Sequence, residues 1–302
     1  MNISNFEDLE KFVKERDFKA RCAVAGAADA HVLQAVMHAA EQGVVFPILI
    51  GNRAHIEELL RELGYQDIEH QIIHETDGEA AYAQWAVDLI NDGKADYIMK
   101  GLLNTASLMR VVFKKENKLR TGRIATSVSI RKIPAYHKLL AFTDAGICIS
   151  PSLEDKKMIL QNGLALMHKL GVEVPKVAVL AAVDTVNEKM PETVDAAELK
   201  RLAENGEFGR CLVEGPISFD LAFSKEAAQT KRYESPVAGD ADLMLFPNVA
   251  AGNMTTKAID LTSGSTGAGL IVGAKIPLVF SSRSATAQYK YQSILLASAV
   301  CE

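Results

Sequence analysis

Short apolar runs alternate with longer segments of helical periodicity along most of this chain, and this alternation restricts the fold more than any other feature. A buried strand is predicted over 22–28, and Asp29 is placed to cap the helix that follows it. The same order of strand, turn residue and amphipathic helix repeats as far as the strand predicted at 95–101. Apolar strands joined by such helices require a parallel sheet covered on both faces, so the pattern predicts an α/β fold.

The pattern changes in the middle of the chain, where we predict a crossing between two domains. Two strands, predicted over 123–130 and 139–149, flank a polar stretch, and the crossing is placed near Lys132 to Tyr136. A length of 302 residues is sufficient for two domains. The predicted domains are residues 1–133 plus 283–302 for the first α/β domain, and residues 134–282 for the second.

Composition and charge limit the partners that the protein can have. The formal net charge is −5, and aromatic residues make up 6% with a single Trp. Such a chain has no general attraction for nucleic acid and few rings on which bases could stack. No apolar run approaches the roughly 18 residues of a membrane span, and the acidic N-terminal segment has no signal-peptide core. We therefore expect a cytoplasmic protein with small-molecule partners, and neither nucleic acid nor membrane.

Expected cofactor motifs are missing. Cys22, Cys148, Cys211 and Cys301 are far apart and form no CxxC pair, so we predict four buried, reduced thiols rather than disulfides or metal ligands. The histidines form no HExxH pair, and no GxGxxG or P-loop is present. The glycine-rich stretch 264–269 has the wrong spacing for either nucleotide motif and is interpreted as a loop.

The segments that follow strands are the candidate sites, because ligands of α/β sheets bind at the carboxyl ends of strands. After the strand predicted to end at Phe280, three serines surround one arginine at the start of the closing helix: Ser281, Ser282, Arg283 and Ser284. Hydroxyls at a helix N-terminus and a guanidinium form an anion site. The alternative is an ordinary serine cap beside a surface arginine.

Other strand ends carry weaker signals. After the strand 95–101, Gly101 permits close approach of a ligand, Asn104 or Thr105 caps a helix, and Arg110 follows. Another candidate segment is KLRTGR, which places Arg120 and Arg123 around a glycine. Each of these features also fits a capping residue or a solvated charge.

Two further strand ends complete the candidates. Gly252 and Asn253 begin a helix among small residues, which leaves room for an extended cofactor or serves tight helix–sheet packing. A strand near 211–215 leads to Asp220. The residues alone therefore indicate a two-domain α/β enzyme with anion sites and no metal, and they specify no reaction.

Five motifs in the same order resemble the phosphate acetyl/butyryltransferase family, and lean toward its butyryltransferases: MKGLLNT, LRTGR, VAGDAD, AGN and SSR. The resemblance covers nearly the whole chain and implies reversible transfer of a short-chain acyl group, butyryl or similar, between CoA and inorganic phosphate. It implies the fold of isocitrate and isopropylmalate dehydrogenases, with two α/β domains flanking a cleft. It also implies a homodimer, or a higher homo-oligomer, formed through the second domain, with no bound cofactor.

The resemblance also implies roles for individual residues. Ser282 and Arg283 match the family's catalytic pair, and the CoA and phosphate site would be formed by Gly101, Asn104, Thr105, Arg110, Arg123, Gly252, Asn253, Ser281 and Ser284. Arg283 would hold phosphate against the thioester carbonyl, and Ser282 would donate to the oxyanion or to the sulfur. This route requires neither a covalent intermediate nor a metal.

One departure from the family pattern stands beside the catalytic pair. The butyryltransferase pattern has an acidic residue shortly after Ser-Arg, as in SRADS, whereas this chain has SRSATAQYK with Ala285. If that carboxylate is the general base for CoA, three outcomes are open. Asp220 or another group substitutes, the bound phosphate takes the proton, or the chain has drifted toward poor activity or another acceptor.

Three rival functions remain at this point. One is a CoA- or acyl-phosphate-binding protein of the same family with weak or lost catalysis, and another is a phosphate acetyltransferase. The third is a β-decarboxylating dehydrogenase, which would need a cluster of metal-binding carboxylates. The post-strand segments offer only Asp220, Asp240 and Asp242 for such a cluster.

Overall fold

The computed structural model describes residues 3–281 and 285–301. The chain divides into two compact units, each treated by itself below. The terminal unit comprises Phe6–Arg123 and the residues from Gly267 onward, and the central unit comprises Ile124–Thr266 with the N-terminal residues up to Asn5. These boundaries lie earlier in the chain than the predicted ones, and the domain assignment 1–133 plus 283–302 stays a prediction.

Helices and strands follow one another in the predicted α/β order. The first part of the terminal unit contains α1 (Phe6–Lys14), β1 (Ala20–Ala25), α2 (Ala30–Glu41), β2 (Val45–Gly51), α3 (Arg53–Glu62), β3 (Gln71–His74), α4 (Glu79–Asn91), β4 (Tyr97–Lys100) and α5 (Thr105–Val112). The central unit contains β5 (Thr126–Lys132), β6 (Leu139–Thr143), α6 (Leu153–Lys169), β7 (Lys176–Leu180), α7 (Pro191–Glu204), β8 (Leu212–Ile217), α8 (Phe219–Phe223), α9 (Lys225–Thr230), β9 (Leu243–Leu245) and α10 (Val249–Thr262). The chain ends with β10 (Thr266–Val272), β11 (Leu278–Val279) and α11 (Ala287–Val300).

The sheet of the terminal unit places three strand ends beside one another. Its strand order is β3-β2-β1-β4-β11-β10, with β1, β2, β3, β4 and β11 parallel and β10 antiparallel to β11. Strand β4 lies between β1 and β11, so the residues after Ala25, Lys100 and Val279 emerge at the same edge. Asp29 caps α2 as predicted, because its carboxylate accepts a hydrogen bond from the Val32 N–H at 2.9 Å.

Within the central unit the strand order is β5-β6-β9-β7-β8. Strand β5 is antiparallel to β6, and the other neighbouring pairs are parallel. Its core includes Phe142, Met244 and Phe246, and Phe142 stacks on Phe246 with ring centroids 5.8 Å apart. Both units therefore confirm the α/β class.

Several predicted elements are corrected. The glycine-rich stretch 264–269 is not a loop, because Thr266–Gly269 belongs to β10. Gly269 is required by packing, since a Cβ there would overlap the Tyr289 hydroxyl of α11. The strand predicted over 139–149 ends at Thr143.

Two further predictions are corrected by local structure. Apolar periodicity over 219–228 predicts one helix, but the structure breaks it at Ser224, which ends α8 and caps α9. The four cysteines are free, but only Cys22 and Cys301 are buried, while Cys148 and Cys211 are partly exposed.

A charged cluster fixes the amino ends of three central strands. Asp240 is paired with His137, Lys138 and Lys176, which stand before or at the start of β6 and β7. Asp242 accepts a hydrogen bond from Lys138 at 2.5 Å and one from the Lys176 N–H at 2.8 Å. The two aspartates of the VAGDAD motif thus hold strands together at the edge opposite to the strand carboxyl ends.

This cluster predicts acid sensitivity. Burial raises the pKa of Asp240, but hydrogen bonds from Lys176, His137 and Lys138 outweigh it and hold the pKa below its ordinary value. A carboxyl whose folded pKa is lowered stabilises the fold above about pH 4 and loses that contribution as the pH falls further. Asp240→Asn should therefore cost about 2 kcal/mol at pH 7, and this cost should shrink progressively as the pH falls from about 4 toward 2, measured by thermal unfolding between pH 7 and pH 2. A cost that stays the same down to pH 2 would contradict the assignment.

Among the described residues, no helix combines the length and apolar character needed to cross a membrane.

Candidate functional site

A cavity of about 240 Å³ lies where β1, β4 and β11 end in the terminal unit. It is lined by Asp29, His31, Val32, Glu79, Lys100, Gly101, Leu102, Leu103, Ser281 and Lys290. A larger cavity of about 500 Å³ lies beside α9 in the central unit, but none of the predicted site residues lines it. The smaller cavity is therefore the candidate site.

Close backbone contact at the floor of the cavity explains one predicted glycine. The Gly101 N–H donates to the Ala25 carbonyl at 2.8 Å, and the Leu102 N–H donates to the Gly26 carbonyl at 2.7 Å. A Cβ on Gly101 would overlap the Gly26 carbonyl oxygen and lie 2.7 Å from that of Ala25. Gly101 therefore lets the ends of β1 and β4 approach each other, whatever it contributes to a ligand.

Lys100 brings an ammonium group to this cavity. Its Nζ donates to the carbonyl oxygens of Leu103 at 2.8 Å and Gly101 at 3.2 Å, and lies 5.6 Å from the centre of the Phe280 ring. These contacts hold the charge beside the chain that leaves β11. Lys100 stands in the MKG segment, but the sequence pattern assigned it no role.

Lys290 is a second ammonium on the cavity wall. Its side chain extends from α11, the residue is only 5% exposed, and its Nζ donates to the Ala285 carbonyl at 2.7 Å. That bond joins α11 to the residue directly after Ser284. Lys290 could not be predicted from the sequence, because a lysine at a helical spacing is usually solvated and only its burial in the folded chain distinguishes it.

Two carboxylates on the wall already have partners. Asp29 caps α2, and Glu79 accepts a hydrogen bond from Asn104 Nδ2 at 3.2 Å. Hydrogen bonds from Ser107 and Asn104 lower the pKa of Glu79. Both carboxyl groups therefore accept hydrogen bonds from donors at helix N-termini, and His31 lies on the same wall.

The predicted site residues of the terminal unit are only partly brought together. Gly101 and Ser281 line the cavity, while Asn104 and Thr105 stand at the start of α5 and Arg110 is exposed on that helix. Ser282, Arg283 and Ser284 lie outside the described residues. Their roles stay predictions, although Ser281 and Ala285 mark where the intervening segment leaves and rejoins the described chain.

The LRTGR segment has an anchored turn. Thr121 Oγ1 donates to the Gly273 carbonyl at 2.6 Å, and the Lys275 N–H donates to the Leu119 carbonyl at 2.9 Å. Gly122 has a φ of 89°, which favours glycine. These bonds fix the turn against the β10–β11 connection, and Arg123 follows it in a half-buried position.

In the central unit, Gly252 and Asn253 serve helix packing in the described structure. A Cβ on Gly252 would lie 2.7 Å from the Asp144 carbonyl oxygen, and Asn253 Nδ2 donates to the Ala145 carbonyl at 3.4 Å. The small residues therefore seat α10 on the loop after β6. Their predicted role toward CoA remains a prediction.

Asp220 is engaged in an ion pair. It accepts hydrogen bonds from Lys231 Nζ at 2.8 Å and Ser218 Oγ at 2.6 Å. The Lys231 and Ser218 contacts lower the pKa of Asp220 to about 2. A carboxylate this acidic is a weak proton acceptor at neutral pH.

Within residues 3–281 and 285–301, no group of three or more His, Cys, Asp or Glu side chains is arranged to hold a metal ion. The lining of the cavity instead combines two ammonium groups, a serine hydroxyl and backbone at strand ends, which is the chemistry of an anion site.

An α/β fold with a lysine-lined cavity at the carboxyl ends of parallel strands is typical of proteins that bind small anionic ligands. Residues 79–298 match the model of the family described as "Phosphate acetyl/butaryl transferase". The chain belongs to this family.

Individual relatives resemble the chain over almost its full length. A phosphate butyryltransferase of Clostridium acetobutylicum is 38% identical, covering 99% of this chain and 98% of the relative. A phosphate acetyltransferase of Thermotoga maritima is 36% identical, covering 96% and 98%. The crystal structure of a branched-chain phosphotransacylase from Enterococcus faecalis has a TM-score of 0.83 at 31% identity, covering 94% of this chain and 100% of that one.

Proposed function

We propose that the protein is a phosphate acyltransferase that moves a short-chain acyl group, butyryl or similar, reversibly between CoA and inorganic phosphate. The observation that carries the proposal is the cavity at the strand ends, which is lined by Lys100, Lys290 and Ser281, the residue that precedes the predicted catalytic pair in the sequence. Both the family match and the full-length relatives support this reaction class.

The proposed reaction is direct attack on the thioester. A phosphate oxygen attacks the acyl carbonyl carbon, a tetrahedral oxyanion forms, and the carbon–sulfur bond breaks to give acyl phosphate and CoA thiolate. Arg283 holds the phosphate, and Ser282 donates to the oxyanion or to the sulfur, as the family motif predicts. In the reverse direction the CoA thiol loses its proton and attacks the acyl phosphate.

The three alternatives for the group that takes the proton from the CoA thiol differ in how well the described residues support them. The low pKa and ion pair of Asp220 argue against it as the substitute, although that candidate remains a prediction. The two lysines on the cavity wall are donors that can hold the phosphate group in the site, which supports the alternative that the bound phosphate takes the proton. Ala285→Asp tests the third outcome, since a drifted site should gain activity toward CoA when the carboxylate is restored.

The experiment for the reaction itself measures thiol release from butyryl-CoA by purified protein, with and without inorganic phosphate. We expect thiol release only when phosphate is present. Release that is independent of phosphate would indicate a hydrolase. No release together with tight CoA binding would favour the alternative of a binding protein, and faster release from acetyl-CoA would favour a phosphate acetyltransferase.

The dehydrogenase alternative loses its candidate metal ligands. Asp240 and Asp242 form ion pairs with lysines at the amino ends of strands, and Asp220 forms an ion pair with Lys231. This arrangement supports the acyltransferase over the dehydrogenase. The finer comparison with isocitrate and isopropylmalate dehydrogenases stays a prediction.

We also propose a homodimer formed through the second domain. On α10, Met254 is 66% exposed and Leu261 is 86% exposed, and such apolar side chains favour contact with a second copy. Light scattering after size-exclusion chromatography is expected to give twice the chain mass, and Leu261→Glu should shift the measured mass toward that of a single chain.

We also propose a cytoplasmic location, because the four cysteines are free thiols.

A further inference from the structure

Lys290 differs from the other buried lysine of the chain in the way its charge is met. Lys156 is also buried, at 4% exposure, but its Nζ forms an ion pair with Asp195 at 2.6 Å. The Lys290 ammonium donates to a neutral carbonyl, that of Ala285, and forms no ion pair with any residue that the structure describes. A buried ammonium is costly unless an anion pairs with it.

None of the described residues pairs an anion with Lys290. Lys290 lines a cavity of about 240 Å³ together with Lys100 and Ser281. Of the two acidic residues on the wall, Asp29 accepts a hydrogen bond from the Val32 N–H, while Glu79 accepts one from Asn104 and interacts electrostatically with Lys100. A small anion with several acceptor oxygens would pair with Lys290 and have Lys100 as a second donor on the same wall.

We propose that Lys290 and Lys100 form a subsite for the phosphate group that is attacked or transferred, as inorganic phosphate in one direction and as the phosphoryl group of the acyl phosphate in the other. The inference rests on the proposed function and deepens it. Lys290 is a binding residue in this assignment, and its bond to Ala285 also places its charge directly after the Ser282–Arg283–Ser284 segment.

The position of Ala285 supports this assignment. The residue whose carbonyl oxygen accepts the Lys290 hydrogen bond has an uncharged side chain. Ala285 therefore does not offset the positive charge of Lys290, which remains available to the substrate.

The test uses Lys290→Met, which keeps the length of the side chain and removes its charge. We expect the KM for phosphate in butyryl-CoA phosphorolysis to rise about 10- to 100-fold, with the KM for butyryl-CoA changed less than about twofold. Phosphate should raise the Tm of the natural protein, and this shift should be lost in the variant. The Tm of the variant without phosphate should be equal or higher, because a buried unpaired charge has been removed.

Lys156→Met is the matched control. It removes an equally buried lysine but leaves Asp195 without its partner, so we expect a lower Tm and an unchanged KM for phosphate. A second arm measures the Tm shift caused by CoA alone, because CoA also carries phosphate groups. That shift should survive in Lys290→Met.

Three results would overturn the inference. The KM for phosphate could stay unchanged in Lys290→Met, the CoA shift could disappear while the phosphate shift remains, or both lysine variants could raise the KM equally. These outcomes differ from failure of the proposed function, in which the natural protein itself would show no phosphate-dependent thiol release.

Discussion

Arg283→Ala will lower kcat/KM for butyryl-CoA phosphorolysis by about 100- to 1,000-fold. In the proposed mechanism this guanidinium holds the attacking phosphate, offsets its negative charge and orients the nucleophile. Ser282→Ala should lower kcat by about 100-fold with a smaller effect on the KM for phosphate, because the same mechanism assigns its hydroxyl to charge that develops in the transition state. Initial rates over a matrix of both substrates separate the two effects.

Arg61→Ala provides the control for the loss of one arginine. Arg61 is exposed on α3 and donates to the Glu57 carbonyl within its own helix. We expect its removal to leave kcat and both KM values unchanged. If Arg283→Ala retained more than about half of the activity, the predicted catalytic pair would be wrong.

Gly101→Ala will destabilise the terminal unit by about 3 kcal/mol or more and abolish activity. The added methyl group would overlap the Gly26 carbonyl oxygen, and the obstacle is backbone that cannot rotate away. To remove this overlap, β1 and β4 must separate at their carboxyl ends. That movement breaks the hydrogen bond of 2.7 Å from the Leu102 N–H to the Gly26 carbonyl and displaces Lys100. Thermal unfolding followed by circular dichroism and the phosphorolysis assay measure the two losses.

Gly146→Ala is the matched glycine control. Its Cβ would lie 3.4 Å from Ser127 Oγ, an ordinary contact, and its φ lies outside the left-handed region. We expect a change within about 1 kcal/mol. Equal Tm values for Gly101→Ala and the natural protein would show that the floor of the cavity is not as closely packed as described.

Much of the fold could be predicted because its signals are local. Apolar periodicity located the strands of the terminal unit, and Asp29 marked the start of α2 through its capping chemistry. The errors have tertiary causes. Gly269 lies in a glycine-rich stretch that is typical of a loop. In the structure it is a strand residue, and the absence of a side chain makes room for Tyr289. Ser224 divides a predicted helix because it both ends α8 and caps α9.

The sequence predicted the kind of site, an anion site at strand ends, better than it predicted the individual residues that line the cavity. The order of strands brought Gly101 and Ser281 to one edge, as expected for parallel strands. Other motif residues have structural roles that sequence spacing does not reveal, such as Asp240 with its lysines and Gly252 under α10. Lys290 was missed because its burial depends on contacts formed only in the folded chain.

A crystal structure of the protein with CoA and inorganic phosphate bound would test the proposed phosphate site most directly. We expect phosphate in contact with Arg283 and the Lys290 ammonium, with the CoA sulfur beside Ser282 and within about 3.5 Å of a phosphate oxygen. Phosphate bound away from Lys290 and Arg283, or a CoA sulfur with no path to Ser282, would contradict it.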